Sequence, residues 1–199
     1  MSSIEYIKNA KVDLILSDPP YGCNNNCDYT RFTKNAAPSK KFKQIKGDNE
    51  KFNPTVWLQF PKVVLFGYQY FADKLPIGTI LFWNKRRENK IGKFLSDGEL
   101  AWMKGGKGVY LFNYIWDGFD RQGERGKSLH PSQKPVALMK WIIEKQKLPP
   151  NSLICDPYMG SGPVGIAALE LGHRFLGFEL EKDYYDISKN RLEEHKKKV

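Results

Sequence analysis

The sequence predicts an open α/β sheet with helices on both faces, and three observations carry that expectation. Strand-like and helix-like segments alternate at both ends of the chain. The strand-like segments are short, continuous apolar runs, the pattern of strands buried on both faces. At 199 residues, with 41% hydrophobic and 14% aromatic content, the chain has single-domain length and can bury a sizeable core. General disorder is excluded.

The elements follow in order. Val12 to Leu16 reads as the first strand, stopped by Asp18-Pro19-Pro20. Gly22 to Pro54 is a loop of 33 residues, rich in Asn, Lys, Thr and Pro and without periodicity. A loop that long in a compact domain is usually functional or disordered. Lys62 to Phe66 is a second strand, followed by a short helix through Phe71 and Leu75. Gly78 to Trp83, Glu99 to Met103 and Val109 to Trp116 are the third, fourth and fifth strands. Pro135 opens a helix in which Val136, Met139, Ile142 and Ile143 recur at helical spacing. Leu153 to Asp156 is a sixth strand, Pro163 to Leu171 a buried helix, Arg174 to Glu179 a seventh strand, and Asp183 to about His195 a terminal helix. Trp83, Trp102 and Trp116 lie on apolar strands and read as core.

Charge narrows the partners. Lys plus Arg number 32 against 22 Asp plus Glu, a net +10. The excess is concentrated, with +5 between Arg31 and Lys51 and +4 between Lys85 and Lys127. A basic excess on loop-like segments suits a polyanion such as nucleic acid, although solubility alone also accounts for it. No apolar run approaches membrane-spanning length, and the N-terminus lacks the basic flank and apolar stretch of a signal peptide. Three cysteines make no disulfide framework. Together these features point to the cytoplasm. Cys23 and Cys27 are spaced like ligands but have no second pair beside them, so no metal is expected.

Two motifs carry chemistry. Gly160-Ser161-Gly162-Pro163-Val164-Gly165 follows a strand and opens a helix, and Glu179 lies 19 residues after Gly160, at the end of the next strand. Glycines there admit a ligand close to the backbone, and the carboxylate can accept both ribose hydroxyls. By itself this pattern does not choose between a dinucleotide and another adenosine ligand. Pro163 removes an N–H that a pyrophosphate would use, and Asp156 places a carboxylate where that charge is unwelcome. Both favour a ligand with adenosine at one end and an amino-acid ammonium at the other, as in S-adenosylmethionine. The second motif, Asp18-Pro19-Pro20-Tyr21, ends the first strand. A carboxylate and a rigidly aimed carbonyl can accept from an aromatic NH2 and draw its nitrogen out of conjugation. Tyr21 offers a stacking face for the base.

These residues resemble the amino-methylating DNA methyltransferases of the permuted beta group, adenine-N6 or cytosine-N4 specific. Asp18-Pro19-Pro20-Tyr21 matches the family's catalytic motif, and Asp156-Pro157-Tyr158-Met159-Gly160-Ser161-Gly162 resembles its cofactor loop. His130-Pro131-Ser132-Gln133-Lys134-Pro135 is similar to its HPTQKP segment, and Gly177-Phe178-Glu179-Leu180-Glu181 to its ribose-binding strand. The motifs stand in the permuted order and span nearly the whole chain. The resemblance implies a Rossmann-like, circularly permuted fold in one domain over residues 1–199, with a mostly parallel sheet that includes an antiparallel strand. It implies S-adenosylmethionine as cofactor and DNA as partner, as in restriction-modification enzymes. Asp18 and the Pro19 carbonyl would bind the target amine, with Pro20 fixing the turn and Tyr21 stacking on the flipped base. Asp156 would face the methionine ammonium, Ser132 and Lys134 its carboxylate, Glu179 the ribose. Tyr158, Gly160, Ser161 and Gly162 would line the cofactor loop. Aspartate at the head of the catalytic motif resembles the adenine-N6 branch. Cytosine-N4 methylation, or an inactive nucleic-acid-binding relic, are the alternatives.

Three departures bear on function. Pro163 stands where the family often has a hydroxyl. The chain begins too late for the strand, with its acidic residue, that the family usually places before the catalytic strand. Only about 13 residues, Asp117 to Leu129, occupy the place of a target-recognition insert. Sequence discrimination is then left to the Gly22–Pro54 loop or to a second subunit, as in a homodimer. That loop leaves directly after Tyr21, which tethers Arg31, Lys34, Lys40, Lys41, Lys43 and Lys46 beside the base pocket as the expected phosphate contacts.

Overall fold

The computed structural model of the chain describes residues 3–25, 27, 43–93, 96–117, 120–124 and 129–197. A short helix, α1 (Ser3–Asn9), precedes β1 (Leu14–Ser17). β2 (Lys62–Phe66) runs into the one-turn helix α2 (Tyr68–Phe71), followed by β3 (Gly78–Asn84) and the long β4 (Gly98–Asn113). A small ribbon of β5 (Trp116–Asp117) and β6 (Asp120–Arg121) leads to α3 (Val136–Lys145). β7 (Leu153–Asp156), α4 (Pro163–Glu170), β8 (Arg174–Gly177) and α5 (Lys182–Lys196) complete the order. Among the described residues no helix is long and apolar enough to cross a membrane.

The main sheet has the order β3-β4-β2-β1-β7-β8. β1 pairs in parallel with both β2 and β7, β7 pairs in parallel with β8, and β4 pairs antiparallel with β2. This is the expected mostly parallel sheet with an antiparallel strand. From β1 the chain moves outward to β2; after α3 it returns to the other side of β1 to lay down β7. The carboxyl ends of β1 and β7 therefore flank the point where strand order reverses. Open α/β sheets place their ligand crevice there.

Alternation along β1 explains why the sheet is covered twice. Leu14 and Leu16 face the layer of α3 and α4, where Leu138, Met139, Ile142, Val164 and Ala167 complete one core. Ile15 faces the other way, against Ile7 of α1 and against Phe52, Trp57, Phe60 and Phe71. Leu14, Ile15 and Leu16 are wholly buried, so apolar side chains cover both faces of this strand up to Ser17 at its end. Trp83, Trp102 and Trp116 are core, as expected.

Two expectations need correction. Glu99–Met103 and Val109–Trp116 are not separate strands: β4 runs continuously over Gly98–Asn113, and Trp116 belongs to the ribbon with β6. β4 bends around β3. Its first half descends against β3, with Gly78 opposite Lys104 and Asn84 opposite Gly98, while its second half rises beside it, with Ile80 opposite Val109 and Asn84 opposite Asn113. Gly105 and Gly106, at φ +84° and +72°, supply the left-handed backbone for the bend. Helix α1 was also not anticipated. Ile4, Ile7 and Ala10 pack on the second core at helical spacing, a short amphipathic signal.

Candidate active site

The two motifs meet at the switch point. Ser17, the last residue of β1, donates its hydroxyl to Asp156 Oδ1 at the end of β7, over 2.5 Å. This buried bond joins the strand carrying Asp18 to the strand carrying the glycine-rich turn.

On the β1 side, both Asp18 carboxylate oxygens are engaged. Tyr21 donates its hydroxyl to Oδ1, and Lys134 donates its ammonium to Oδ2. The Tyr21 ring stacks on Tyr70 of α2 with centroids 4.8 Å apart and planes 15° from parallel. Its other neighbour is Gly67, held at φ +81°, where a Cβ would overlap the Tyr21 ring. Gly67→Ala is therefore expected to push Tyr21 off its seat. We expect kcat to fall by about a hundredfold, the scale of a 1 Å misplacement at a reacting centre, with cofactor affinity unchanged by calorimetry. Wild-type kcat in this variant would remove Tyr21's position from the argument.

Lys134 is 4% exposed yet charged. Burial pushes its pKa down, but Asp18 and Glu99 outweigh that and hold it above the ordinary lysine value. Its Nζ lies 3.2 Å from Glu99 Oε2, and 4.7 Å from the centre of the Phe66 ring. Glu99 Oε1 in turn accepts from Lys85 at 2.9 Å. Burial pushes Glu99 up, but Lys134 and Lys85 bring it down to about 2. Burial raises Asp18, with Lys134 opposing. Burial and the neighbouring Asp18 carboxylate hold Tyr21 well above 10, so its hydroxyl remains a donor.

On the β7 side, Asp156 is 3% exposed and also accepts from the Tyr158 N–H at 3.0 Å. Burial pushes its carboxyl up to about 7, against the Ser17 and Tyr158 donors that favour the charged form. Glu179 uses both oxygens, accepting from Gly160 N–H at 2.9 Å and Glu181 N–H at 2.8 Å. Gly162, at φ +77°, turns the chain into α4, and Pro163 takes the first helical position, where a missing N–H costs least. His130 meets the ring of Tyr184 edge-on at 4.3 Å and lies over Gly160. Burial and Lys134 hold its pKa down to about 4, so it is neutral at physiological pH. Ser161 is 1% exposed, and its hydroxyl has no hydrogen-bond partner among the described residues.

These residues fit S-adenosylmethionine. The fit rests on the Ser161 hydroxyl, unpartnered among the described residues, on the buried Asp156 carboxylate, whose charged form an ammonium would favour, and on both oxygens of Glu179 at the glycine-rich turn. Tyr158 stands at the surface with its ring edge-on to Phe52 and Trp57. Ser132 is exposed, and its N–H donates to His130 Nδ1 at 3.2 Å. Lys134 is turned toward Asp18 and Glu99.

Of the six basic residues expected on DNA, Arg31, Lys34, Lys40 and Lys41 lie outside the described residues. Lys43 pairs with Asp183 at 2.5 Å and Lys46 with Glu181. Both lysines are exposed, and solvent screens such pairs. They leave the lysines available to a stronger anion.

Three residues that organise the site were not singled out from sequence. Besides Glu99, Asp48 is 1% exposed and gathers four backbone donors: Tyr21 at 3.1 Å, Gly22 at 3.0 Å, Cys23 at 3.3 Å and Asn25 at 2.7 Å. The Asn24 N–H donates to its carbonyl at 2.7 Å, and Gln44 Nε2 donates to Asn25 O at 2.7 Å. The start and end of the polar loop are thereby tied together beside Pro20 and Tyr21. Glu124 accepts from Gln133 Nε2 at 3.0 Å and Val136 N–H at 2.9 Å, steadying the segment that carries Lys134. The only sequence signal for Asp48 is the turn-like Gly47-Asp48-Asn49.

Comparison with known proteins adds an independent line. Residues 107–190 match the family model for DNA methylases, N6_N4_Mtase. The chain is 31% identical to the type II methyltransferase M2.DpnII of Streptococcus pneumoniae, over 94% of its own length and 84% of the relative's. It is 28% identical to the type II methyltransferase M.HinfI of Haemophilus influenzae, over 98% of its own length and 67% of the relative's. The crystal structure of the M1.HpyAVI–SAM complex superposes with a TM-score of 0.56 at 26% identity, covering 95% of this chain and 94% of that one.

Proposed function

Because the chain belongs to the family of adenine-N6 and cytosine-N4 DNA methyltransferases, we propose that its acceptor is the N6 amine of adenine. The enzyme methylates DNA and uses S-adenosylmethionine. The observation that carries the adenine reading is the aspartate at the head of Asp18-Pro19-Pro20-Tyr21, set at the switch point one residue beyond Ser17 and its bond to Asp156.

S-adenosylmethionine supplies a methyl group on a positively charged sulfur. The protein's part is to hold the acceptor in line. Asp156 takes the ammonium, Glu179 the ribose hydroxyls, and the Gly160–Gly162 turn admits the ligand to the backbone. The target base must leave the stack to reach the site. Tyr21 then offers it a ring face, while Asp18 and the Pro19 carbonyl accept its two N–H groups and direct the nitrogen lone pair at the methyl carbon. A new C–N bond forms as the C–S bond breaks. The proton shed by the methylated amine passes to water, so Asp18 need only accept hydrogen bonds.

Incubation with DNA and labelled S-adenosylmethionine, followed by nucleoside mass spectrometry, tests this reading. N6-methyladenine is expected. N4-methylcytosine would reassign the acceptor, and unmodified DNA from folded, cofactor-binding protein would make the chain a non-catalytic relative.

The basic loop supplies a second test. With about six phosphates neutralised, DNA affinity should fall roughly a thousandfold between 50 and 200 mM salt. Combining Lys40→Ala, Lys41→Ala and Lys43→Ala should weaken binding about equally on every sequence and flatten that slope, because phosphate contacts position without specifying. An unchanged slope would transfer the role to the basic residues between Lys85 and Lys127.

A further inference from the structure

The ligand-free site has a difficulty built into it. Each oxygen of Asp18 already accepts from one donor, Oδ1 from the Tyr21 hydroxyl and Oδ2 from the Lys134 ammonium, so the incoming amine must compete with a buried cation for the carboxylate. Lys134 cannot withdraw into water, being 4% exposed. A buried ammonium stripped of its counter-ion is costly, so it needs another carboxylate within reach. Glu99 Oε2 is that carboxylate, 3.2 Å from Lys134 Nζ. It stands near the start of β4, the antiparallel strand wedged between β2 and β3. Its second oxygen is fixed by Lys85, just after β3.

We propose that Glu99 is a positioning residue for the acceptor site: it shares the Lys134 ammonium with Asp18 and takes it over when the target amine arrives. Lys134 moves by a fraction of its reach, and Asp18 Oδ2 is freed. The two lysines and two carboxylates form a neutral quartet, so the transfer moves no net charge into the interior. Neither Glu99 nor Lys85 belongs to any of the recognised motifs. The inference rests on the methyl-transfer reading above, since it assigns Asp18 to the amine.

The charges facing Asp18 fix the direction of the test. They are Lys134 from the segment before α3, Glu99 from β4 and Asp156 from β7, with the neutral, titratable Tyr21 hydroxyl donating from its own loop. Tyr70 from α2 and Lys85, just after β3, stand behind Tyr21 and Glu99, and His130 faces Lys134. Glu99 is a like charge that raises Asp18, and Lys134 an opposite charge that lowers it. Removing Glu99 leaves Lys134 wholly committed to Asp18; removing Lys134 leaves Asp18 buried beside a like charge.

The experiment is the pH profile of single-turnover methylation, with saturating DNA and S-adenosylmethionine. Glu99→Gln should lower the rate at neutral pH about tenfold, because the acceptor is harder to free. Its acid limb should move to lower pH by about one unit. Lys134→Met should move the acid limb the other way. Glu99→Asp keeps the charge and should return the limb to its wild-type position with partial recovery of rate, which also guards against a glutamine variant that fails to fold. A purely structural role would lower melting temperature without displacing the two limbs in opposite directions. An unmoved limb and unchanged rate in Glu99→Gln, or limbs moving together, would overturn the proposal while leaving the methyl-transfer reading intact. Wild-type protein that leaves DNA unmodified would overturn both.

Discussion

Asp18→Ala is expected to reduce methyl transfer by a factor of at least about a hundred, the usual loss when a preorganised polar group at the reacting atom is removed. Asp18 is the sole carboxylate on the acceptor turn, and its oxygens already hold two donors in hydrogen-bonding geometry. With alanine there, the Pro19 carbonyl alone receives the amine, and the nitrogen keeps its conjugation with the ring. Cofactor binding should be nearly unaffected, because Asp156 and Glu179 take no support from the Asp18 side chain. Lys134 remains paired with Glu99, so the variant should fold, with some loss of stability from the half-emptied ion pair. Asp18→Asn separates geometry from charge: it keeps a carbonyl acceptor but presents an NH2 to Lys134 or Tyr21. Single-turnover rates beside calorimetric cofactor affinities provide the check. Near wild-type turnover in the alanine variant would remove Asp18 from the chemistry.

Glu179→Ala should weaken S-adenosylmethionine binding by about 1.5–3 kcal/mol, the range for hydrogen bonds to a charged group. That is roughly a ten- to 150-fold rise in Kd. Two effects contribute. The ribose loses its acceptor, and the Gly160 and Glu181 N–H groups lose the carboxylate that shapes the turn around the ligand. Glu179→Gln retains one carbonyl oxygen and should fall between the two. Calorimetry with S-adenosylhomocysteine checks both variants without any need for turnover. An unchanged Kd in the alanine variant would mean that the ribose is held elsewhere. Tight binding of NADH would point instead to a dinucleotide enzyme.

Much of this was legible in the amino-acid order, because local signals and short motifs carry it. Proline and glycine punctuate β1, α3 and α4, and the apolar runs of β1, β2 and β7 announce strands buried on both sides. The two motifs declare their places at strand ends by the apolar runs that precede them. What stayed hidden is non-local. Gly105 and Gly106 read as a break between two strands, and nothing nearby says that both flanks of that break pair with β3. Lys134 could be picked out by its motif, but its partner Asp18 lies 116 residues away, and the competing partner Glu99 carries no motif. Asp48 looks like an ordinary turn residue until the backbone donors of 21–25 are folded around its carboxylate.

That carboxylate has a consequence for how the chain can be altered. The chain leaves Asn25 and rejoins Gln44 at a single clasp around Asp48, and that clasp holds the backbone N–H of Tyr21. Doubling the length of such a closed excursion costs only about 0.6 kcal/mol. A change of chain length between the buried Cys27 and Gln44 should therefore place little strain on the acceptor turn, provided Cys27, Gln44 and Asp48 are kept.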